Sequence, residues 1–236
     1  MLEVDLHAHT SFSKCGIHSH IEMLSRAAEM GMKGVAITDH GPTLGGRVIS
    51  TLFERLHDPV PGVRFLKGME CNILEQTGCI DLPSNLLKYL DIVLLGLHPN
   101  TPKGLKPKDY TRMLVAAVEN NPCVDVLSHI NDPVYPVEFQ PLAALARDNG
   151  LAIELNNSKT LLGRADNSST RSLVETCARE GCRVAVTSDA HSVNELGRDE
   201  SVAPFINAAG FPSELLVTRN AEAAYGFIEE RRDTKR

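Results

Sequence analysis

The sequence has no CxxC pair: its six cysteines (Cys15, Cys71, Cys79, Cys123, Cys177 and Cys182) are scattered along the chain. Paired-thiolate zinc sites and a disulfide framework are thereby disfavoured, and the cysteines read as reduced, mostly buried thiols. There is no basic excess either. Lys and Arg number 24 against 30 Asp and Glu, for a net charge of -6, and long nucleic acids need clustered cations to neutralise phosphates. No stable nucleic-acid partner is expected. A small phosphorylated substrate stays compatible, because metal ions can supply local positive charge. No stretch approaches the ~18 apolar residues of a membrane span. The start, MLEVDLHAHT, has neither the basic opening nor the apolar run of a signal peptide. A cytoplasmic protein without a membrane partner is the expectation. Internal repeats, low-complexity blocks and convincing linkers are also missing, so residues 1–236 read as one domain.

What the chain does contain is a steady alternation of short apolar runs and helix-like segments. Hydrophobic residues make up 42% and charged residues 23%, the balance of a folded globular protein. Strands are predicted at Glu3–His7, Gly34–Thr38, Arg64–Glu70, Asp91–Leu97, Val124–Ser128, Ala152–Asn156 and Arg183–Ser188. Near-continuous apolar runs of this kind mark parallel strands covered on both faces. Between them, Ser19 and Glu22 form a capping-box pattern opening a helix over Ile21–Met30, with Gly31 suited to its stop. Further helices are predicted at Lys108–Asn120, from Pro141 to just before Gly150, at Thr170–Glu180, and from Ala221 into the charged end EERRDTKR. About seven βα units follow, which implies an α/β fold with a parallel sheet. Closed barrel and open sheet are not separated by this pattern alone.

The placement of metal-capable residues separates them. The predicted strands end in His7 and His9 (DLHAHT), Asp39 and His40 (ITDHGP), Glu70 (KGMECN), His98 (LLGLHPN), His129 (VLSHIND), and Asp189 with His191 (TSDAH). The sixth ends in the polar pair Asn156 and Asn157. One strand-end histidine is ordinarily just a polar residue, and a lone HxH is a weak chelation signal. Their conjunction is another matter. In a βα barrel every strand C-terminus opens onto one face, whereas an open sheet would string these groups along a line. The distribution therefore predicts closure. His and carboxylate donors without paired thiolates suit zinc, manganese or iron. The donors exceed what one four-coordinate ion needs, so two or three divalent ions are expected. Glu70 is suited to bridge two of them. Ions a few ångströms apart yield a hydroxide nucleophile near neutral pH and clamp the oxygens of an in-line displacement. The expected reaction is hydrolysis of a small phosphomonoester.

Taken together, DLHAHT, ITDHGP, GMECN, GLHPN, LSHIND, ELNNS and TSDAH resemble the PHP superfamily (polymerase and histidinol phosphatase), in particular its YcdX-like stand-alone phosphatases. The resemblance runs from about residue 3 to residue 191. It implies a distorted seven-stranded, TIM-like (βα) barrel with a trinuclear site, usually zinc, that hydrolyses phosphomonoesters. By motif, His7, His9, Glu70 and Asp189 would hold one ion; Glu70 would bridge to a second held by His98 and His129; His40 and His191 would hold a third. YcdX-like relatives add a histidine to that third ion. Here SFSKCGIHSH puts Cys15 at the corresponding place, with His18 and His20 close behind. Cys15 as a thiolate, His18 after a loop shift, or neither would complete the site, and the last case leaves a dinuclear centre.

Supporting roles are expected of Asp39, Asn156 and Asn157, and His20 is expected to be a solvent-exposed helix residue. Arg164 (LLGRADN) is placed to grip phosphate oxygens, with a plain surface arginine as the alternative. His191, or a metal-bound water, would protonate the leaving group. Lys103, Lys106 and Lys108 read as a solvated loop rather than an anion-binding lid. Three rival functions remain. An amidohydrolase would ordinarily show a strand-end lysine where Glu70 stands. A phosphodiesterase or exonuclease on the same scaffold sits poorly with the acidic balance. A non-catalytic metal-binding module would have lost more ligands than Cys15 suggests.

Overall fold

The computed structural model describes residues 1–74 and 77–233. Its seven strands are β1 (Val4–Ala8), β2 (Gly34–Ile37), β3 (Arg64–Asn72), β4 (Ile92–Gly96), β5 (Val126–Leu127), β6 (Ala152–Asn156) and β7 (Arg183–Thr187). Every neighbouring pair is parallel, and the spatial order follows the sequence from β1 to β7. The seam between β7 and β1 carries no regular ladder. It is closed instead by a single bridge from Ala8 to Ala190, by His9 N–H donating to Ala190 O at 2.8 Å, and by the buried Asp5 carboxylate, which accepts from the N–H and hydroxyl of Ser188 and from Gly197 N–H. A side chain thus completes what backbone pairing leaves open, and the barrel is nearly closed and distorted. Burial outweighs these hydrogen bonds in raising the Asp5 pKa.

Side-chain alternation places the site. Val4, Leu6, Ala36, Leu66, Ile92, Leu94, Val126, Ala152 and Ala185 form one apolar cluster inside the barrel, while their neighbours in sequence pack outward against the helices. In β1 the register slips between Asp5 and Ala8. Leu6 belongs to the inner cluster and Ala8 to the outer one, so the slip reverses the alternation, as a bulge does. His7 and His9 are thereby turned into the barrel mouth.

The helices are α1 (His20–Glu29), α2 (Ser50–Arg55), α3 (Pro107–Asn120), α4 (Phe139–Asp148), α5 (Asn157–Leu161), α6 (Asn167–Glu180), α7 (Ala203–Ala209) and α8 (Ala221–Asp233). The capping box predicted for α1 is present: Ser19 Oγ accepts from Glu22 N–H and Glu22 accepts from Ser19 N–H. Gly181, at φ 70°, ends α6 as expected. Sequence reading missed α2, α5 and α7. The first lacks a side-chain N-cap, and α5 starts directly at the end of β6 without a breaker between them. By contrast α7 carries Pro204 in its first turn and a left-handed Gly210 after its last, start and stop signals legible in the sequence. The extension of the last helix into 234–236 lies outside the described residues. Among the described residues, no helix is long and apolar enough to cross a membrane.

Helix α8 seals the end of the barrel opposite the strand C-termini. Ala224, Phe227 and Ile228 join the inner cluster, and Phe227 and Ile228 each contribute about 1.5–3 kcal/mol by leaving water. Arg231, buried, donates to Asp125 Oδ1 at 3.0 Å and to the carbonyls of Asn149, Pro122 and Val124. Removing one partner of such a pair leaves the other charge buried and uncompensated. Arg231→Ala should therefore cost about 3–5 kcal/mol of stability, read as a lower midpoint in thermal or urea unfolding, with the far end of the barrel untouched.

Candidate metal centre

Five histidines converge on Glu70 at the mouth of the barrel: His7, His9, His40, His98 and His129. His7 Nε2 and His9 Nε2 lie 3.0 Å apart, each 3.4 Å from Glu70 Oε2, and 3.5 and 3.2 Å from Asp189 Oδ1. All four residues are buried. His7, His9 and Asp189 each offer a donor atom within 4.8 Å of the others, close enough for one ion to reach all three at the Zn–N and Zn–O distance of about 2.0–2.2 Å. His7 Nδ1 faces Glu154 Oε1 at 2.5 Å. With the ring proton assigned there, the His7 Nε2 lone pair points at the centre of the set. Four electron-rich atoms aimed at one point repel unless a cation lies between them.

The second carboxylate oxygen serves a second group. Glu70 Oε1 is 3.1 Å from His98 Nε2 and 2.9 Å from His129 Nε2, and it also accepts from Ser128 Oγ at 3.0 Å. His98 Nε2 approaches Glu70 without hydrogen-bond alignment, and its Nδ1 meets no partner at all. Together with His40 Nδ1, these make three of the five buried side-chain polar atoms without a hydrogen bond among the described residues. Buried orphans are rare in folded proteins, and their concentration here fits side chains suited to coordinate a cation.

A third group lies nearer solvent. Donor atoms of His9, Cys15 and His40 fall within 4.8 Å of one another, and the Cys15 thiol is in hydrogen-bond contact with His191 and His40. His191 Nδ1 donates to Asp189 O at 2.9 Å, which fixes the ring beside the thiol. His18 is not part of this group: its Nδ1 accepts from Val193 N–H at 3.4 Å.

Electrostatics show how strongly the cluster demands positive charge. Burial pushes the His7 imidazole down, but Glu154, Glu70 and Asp189 outweigh it and hold His7 well above its ordinary value. His40 rises in the same way to about 10, through Glu70 and Cys15, and His191 to about 9, through Cys15 and Asp189. Burial alone would raise Glu70 and Asp189, yet the surrounding imidazoles hold both below their ordinary range. Cys15, raised by burial, is drawn down to about 6 by His191, His40 and His9. His98 is the exception. Its burial prevails over Glu70 and keeps it neutral, at about 4, the protonation state in which imidazole ligates metals.

The backbone is bent to serve the same centre. His129 (φ 36°) and Asp189 (φ 52°) are two of three non-glycine residues in the left-handed region among those described, a conformation that costs energy and gathers at functional sites. His129 is held there by its N–H, which donates to Glu154 Oε2 at 2.7 Å. Gly96 gives the rings room. A Cβ at that position would sit 2.7 Å from His98 Cε1, 2.8 Å from Ser128 Oγ and 2.9 Å from His129 Cε1. Gly96→Ala should displace both imidazoles, at about 1–3 kcal/mol of overpacking, and weaken metal binding measured by chelator competition.

Supporting residues fall partly where expected. Asp39 accepts from Thr10 N–H, Ser13 N–H and both their hydroxyls, and Ser13 Oγ in turn contacts His9 Nδ1 at 3.3 Å. Asn156 donates to Glu154 and Asp189 and caps α5. Asn157 instead accepts from Ser201 N–H and anchors the chain beyond β7. The expectation for His20 is wrong. Only 4% exposed, it stands edge-on between Phe12 and Phe65, with Asp39 Oδ2 at 3.7 Å, because the Thr10–Ser13 turn folds over the start of α1. Lys103, Lys106 and Lys108 are exposed and do not border the site.

Above the three groups opens a cavity of ≈ 480 Å3. Arg164, exposed, stands on its wall with Lys14 and Lys159, and Leu44, Leu162 and Pro99 supply apolar surface. Sequence reading overlooked Glu154, a carboxylate in an otherwise apolar strand run, which has to be paired when buried.

Residues 5–158 match the PHP domain. A probable phosphatase of Caldicellulosiruptor bescii is 32% identical over 231 residues, covering 97% of this chain and 96% of that protein. A probable phosphatase of Syntrophotalea carbinolica is 34% identical over 232 residues, covering 96% and 95%. The crystal structure of histidinol phosphate phosphatase from Lactococcus lactis, solved with zinc, L-histidinol and phosphate, superposes with a TM-score of 0.63 at 15% identity over 89% of this chain and 94% of that one. Its similarity extends to the fold, the seven-stranded barrel reached above from strand pairing, and with the family match and full-length relatives it leads to one conclusion: the chain belongs to the PHP domain family.

Proposed function

We propose that this protein hydrolyses a small phosphomonoester at a centre of two or three divalent ions, zinc first among them, with manganese or iron compatible. The observation that carries the reading is the carboxylate of Glu70, one oxygen facing His7 and His9 and the other facing His98 and His129. His7, His9, Asp189 and Glu70 would hold one ion, and Glu70, His98 and His129 a second. His40 and His191 supply nitrogens for a third. Bound there, the ions would supply Lewis-acid stabilisation of phosphoryl oxygens and a water-derived nucleophile near neutral pH.

The chain's own residues then orient and balance charge. Glu154, Asn156 and Asp39 hold the donors rigidly, so the site does not reorganise as charge develops. Arg164, on the cavity wall, grips the equatorial phosphoryl oxygens. His191, partly exposed at the mouth, is placed to deliver a proton to the leaving oxygen. No side chain need act as nucleophile. The relatives named as probable phosphatases support the same reaction class.

The test compares p-nitrophenyl phosphate, bis(p-nitrophenyl) phosphate and single-stranded DNA as substrates. Turnover of the monoester is expected to predominate, to vanish on chelation while the far-ultraviolet circular dichroism persists, and to return with Zn2+ or Mn2+. Predominant hydrolysis of the diester or of DNA, or turnover indifferent to chelator, would overturn the proposal.

A further inference from the structure

Two of the three donor groups offer only nitrogen and oxygen. The outer one is different: it contains a thiol. Cys15 lies on the loop between β1 and α1, with its donor atom within 4.8 Å of those of His9 and His40 and in contact with His191.

Its position is built rather than accidental. Asp39 pins the first half of the loop through Thr10 and Ser13. Ile17 N–H donates to His191 O at 2.9 Å, which ties the residues after Cys15 to the segment that carries His191. Between these anchors the chain doubles back so tightly that a Cβ on Gly16 would fall 2.1 Å from Thr10 O. The competing histidine is engaged elsewhere, since His18 Nδ1 accepts from Val193 N–H. His40, which also contacts the thiol, has its Nδ1 buried 3.0 Å from Glu70 Oε2 without an aligned hydrogen bond, so the outer position adjoins the Glu70 pair.

We infer that the outer position, formed by Cys15, His40 and His191, is a thiolate metal site that takes a thiophilic divalent ion such as Zn2+, Co2+ or Cd2+ and discriminates against Mn2+ and Mg2+. Soft thiolate selects such ions, whereas carboxylate and water suit the harder ones, and a coordinating thiol gives up its proton to the ion outright. The two positions sharing Glu70 have no such bias. The centre is therefore heterogeneous: manganese can fill the inner pair while the outer position stays selective. This inference rests on the reading that the cluster binds ions.

Cobalt separates the two. Purified full-length protein is stripped of metal and titrated with Co2+, while absorbance is followed from the near-ultraviolet to the visible. A thiolate-to-Co2+ charge-transfer band is expected, together with the ligand-field bands of all positions. Cys15→Ser should lose the near-ultraviolet band and one bound Zn2+ equivalent per chain, yet keep the remaining ligand-field bands and its circular dichroism. Cys15→His should regain the Zn2+ equivalent without the band. Co2+ bound with no charge-transfer band, or a band that survives in Cys15→Ser, would overturn the thiolate site and leave the Glu70 pair standing. Failure to bind any Co2+ would overturn both.

Discussion

Glu70→Gln is expected to abolish phosphatase activity while leaving the barrel folded. The two carboxylate oxygens of Glu70 face different donor groups: Oε2 faces His7, His9 and His40, and Oε1 faces His98 and His129. An amide keeps the shape but removes the charge, and it turns a donor NH2 towards one of the two groups. Losing a single oxyanion-stabilising contact costs an enzyme about 10²–10³ in kcat. Glu70 serves two ions at once, so turnover should fall by roughly 10³-fold or more, together with the bound metal. Turnover by metal-analysed Glu70→Gln is the check. Near-normal activity with full metal content would remove Glu70 from the bridging role.

The second large effect is expected one layer further out. Glu154 touches nothing in the cavity, yet it organises both donor groups. Its Oε1 accepts from Thr187 Oγ1 at 2.6 Å and faces His7 Nδ1; its Oε2 accepts from the strained His129 N–H and from Asn156 Nδ2. In Glu154→Gln, the NH2 group must confront either the His7 ring N–H or the His129 backbone N–H, so one of these contacts becomes donor against donor. Partners behind metal ligands are worth about 10–100-fold in metal affinity, and that loss is expected here in chelator competition. Activity should recover substantially at high metal concentration, because the ligands themselves remain. A residue with only a packing role would lower the unfolding midpoint without shifting metal affinity, and that result would refute the positioning role.

Much of this centre could be read before any coordinates, because a parallel barrel converts sequence position into spatial position. Strand ends share one face, so a His, Asp or Glu at the end of each apolar run is enough to place it. The sequence was less informative where the answer depends on the course of a loop. Cys15 and His18 are three residues apart and equally able to ligate. Only the doubling of the chain at Gly16 and the anchoring of Ile17 to His191 bring the thiol to the cluster and carry His18 away from it. His20 follows the same logic: Ser19 and Glu22 mark its helix start, but its burial is decided by Phe12 and Phe65 from outside the helix.

Glu154 and Asp5 were overlooked because strand recognition treats a charged residue in an apolar run as noise. Inside a barrel it is a signal, since such a group has to be paired there. Glu154 lies two residues before Asn156, hence on the same inward face, and could have been found on that ground. The bulge in β1 had no comparable sequence mark. Without it, His7 and His9 would share the face of Asp5 and alternate with Leu6 throughout.

The central claim, that the folded barrel gathers electron-rich donors around enclosed cations, is tested most directly by anomalous scattering from crystals of zinc-loaded protein. Peaks are expected among His7, His9, Glu70 and Asp189 and between Glu70, His98 and His129. A map in which these side chains are ordered as described, yet no peak appears among them at saturating zinc, would contradict it.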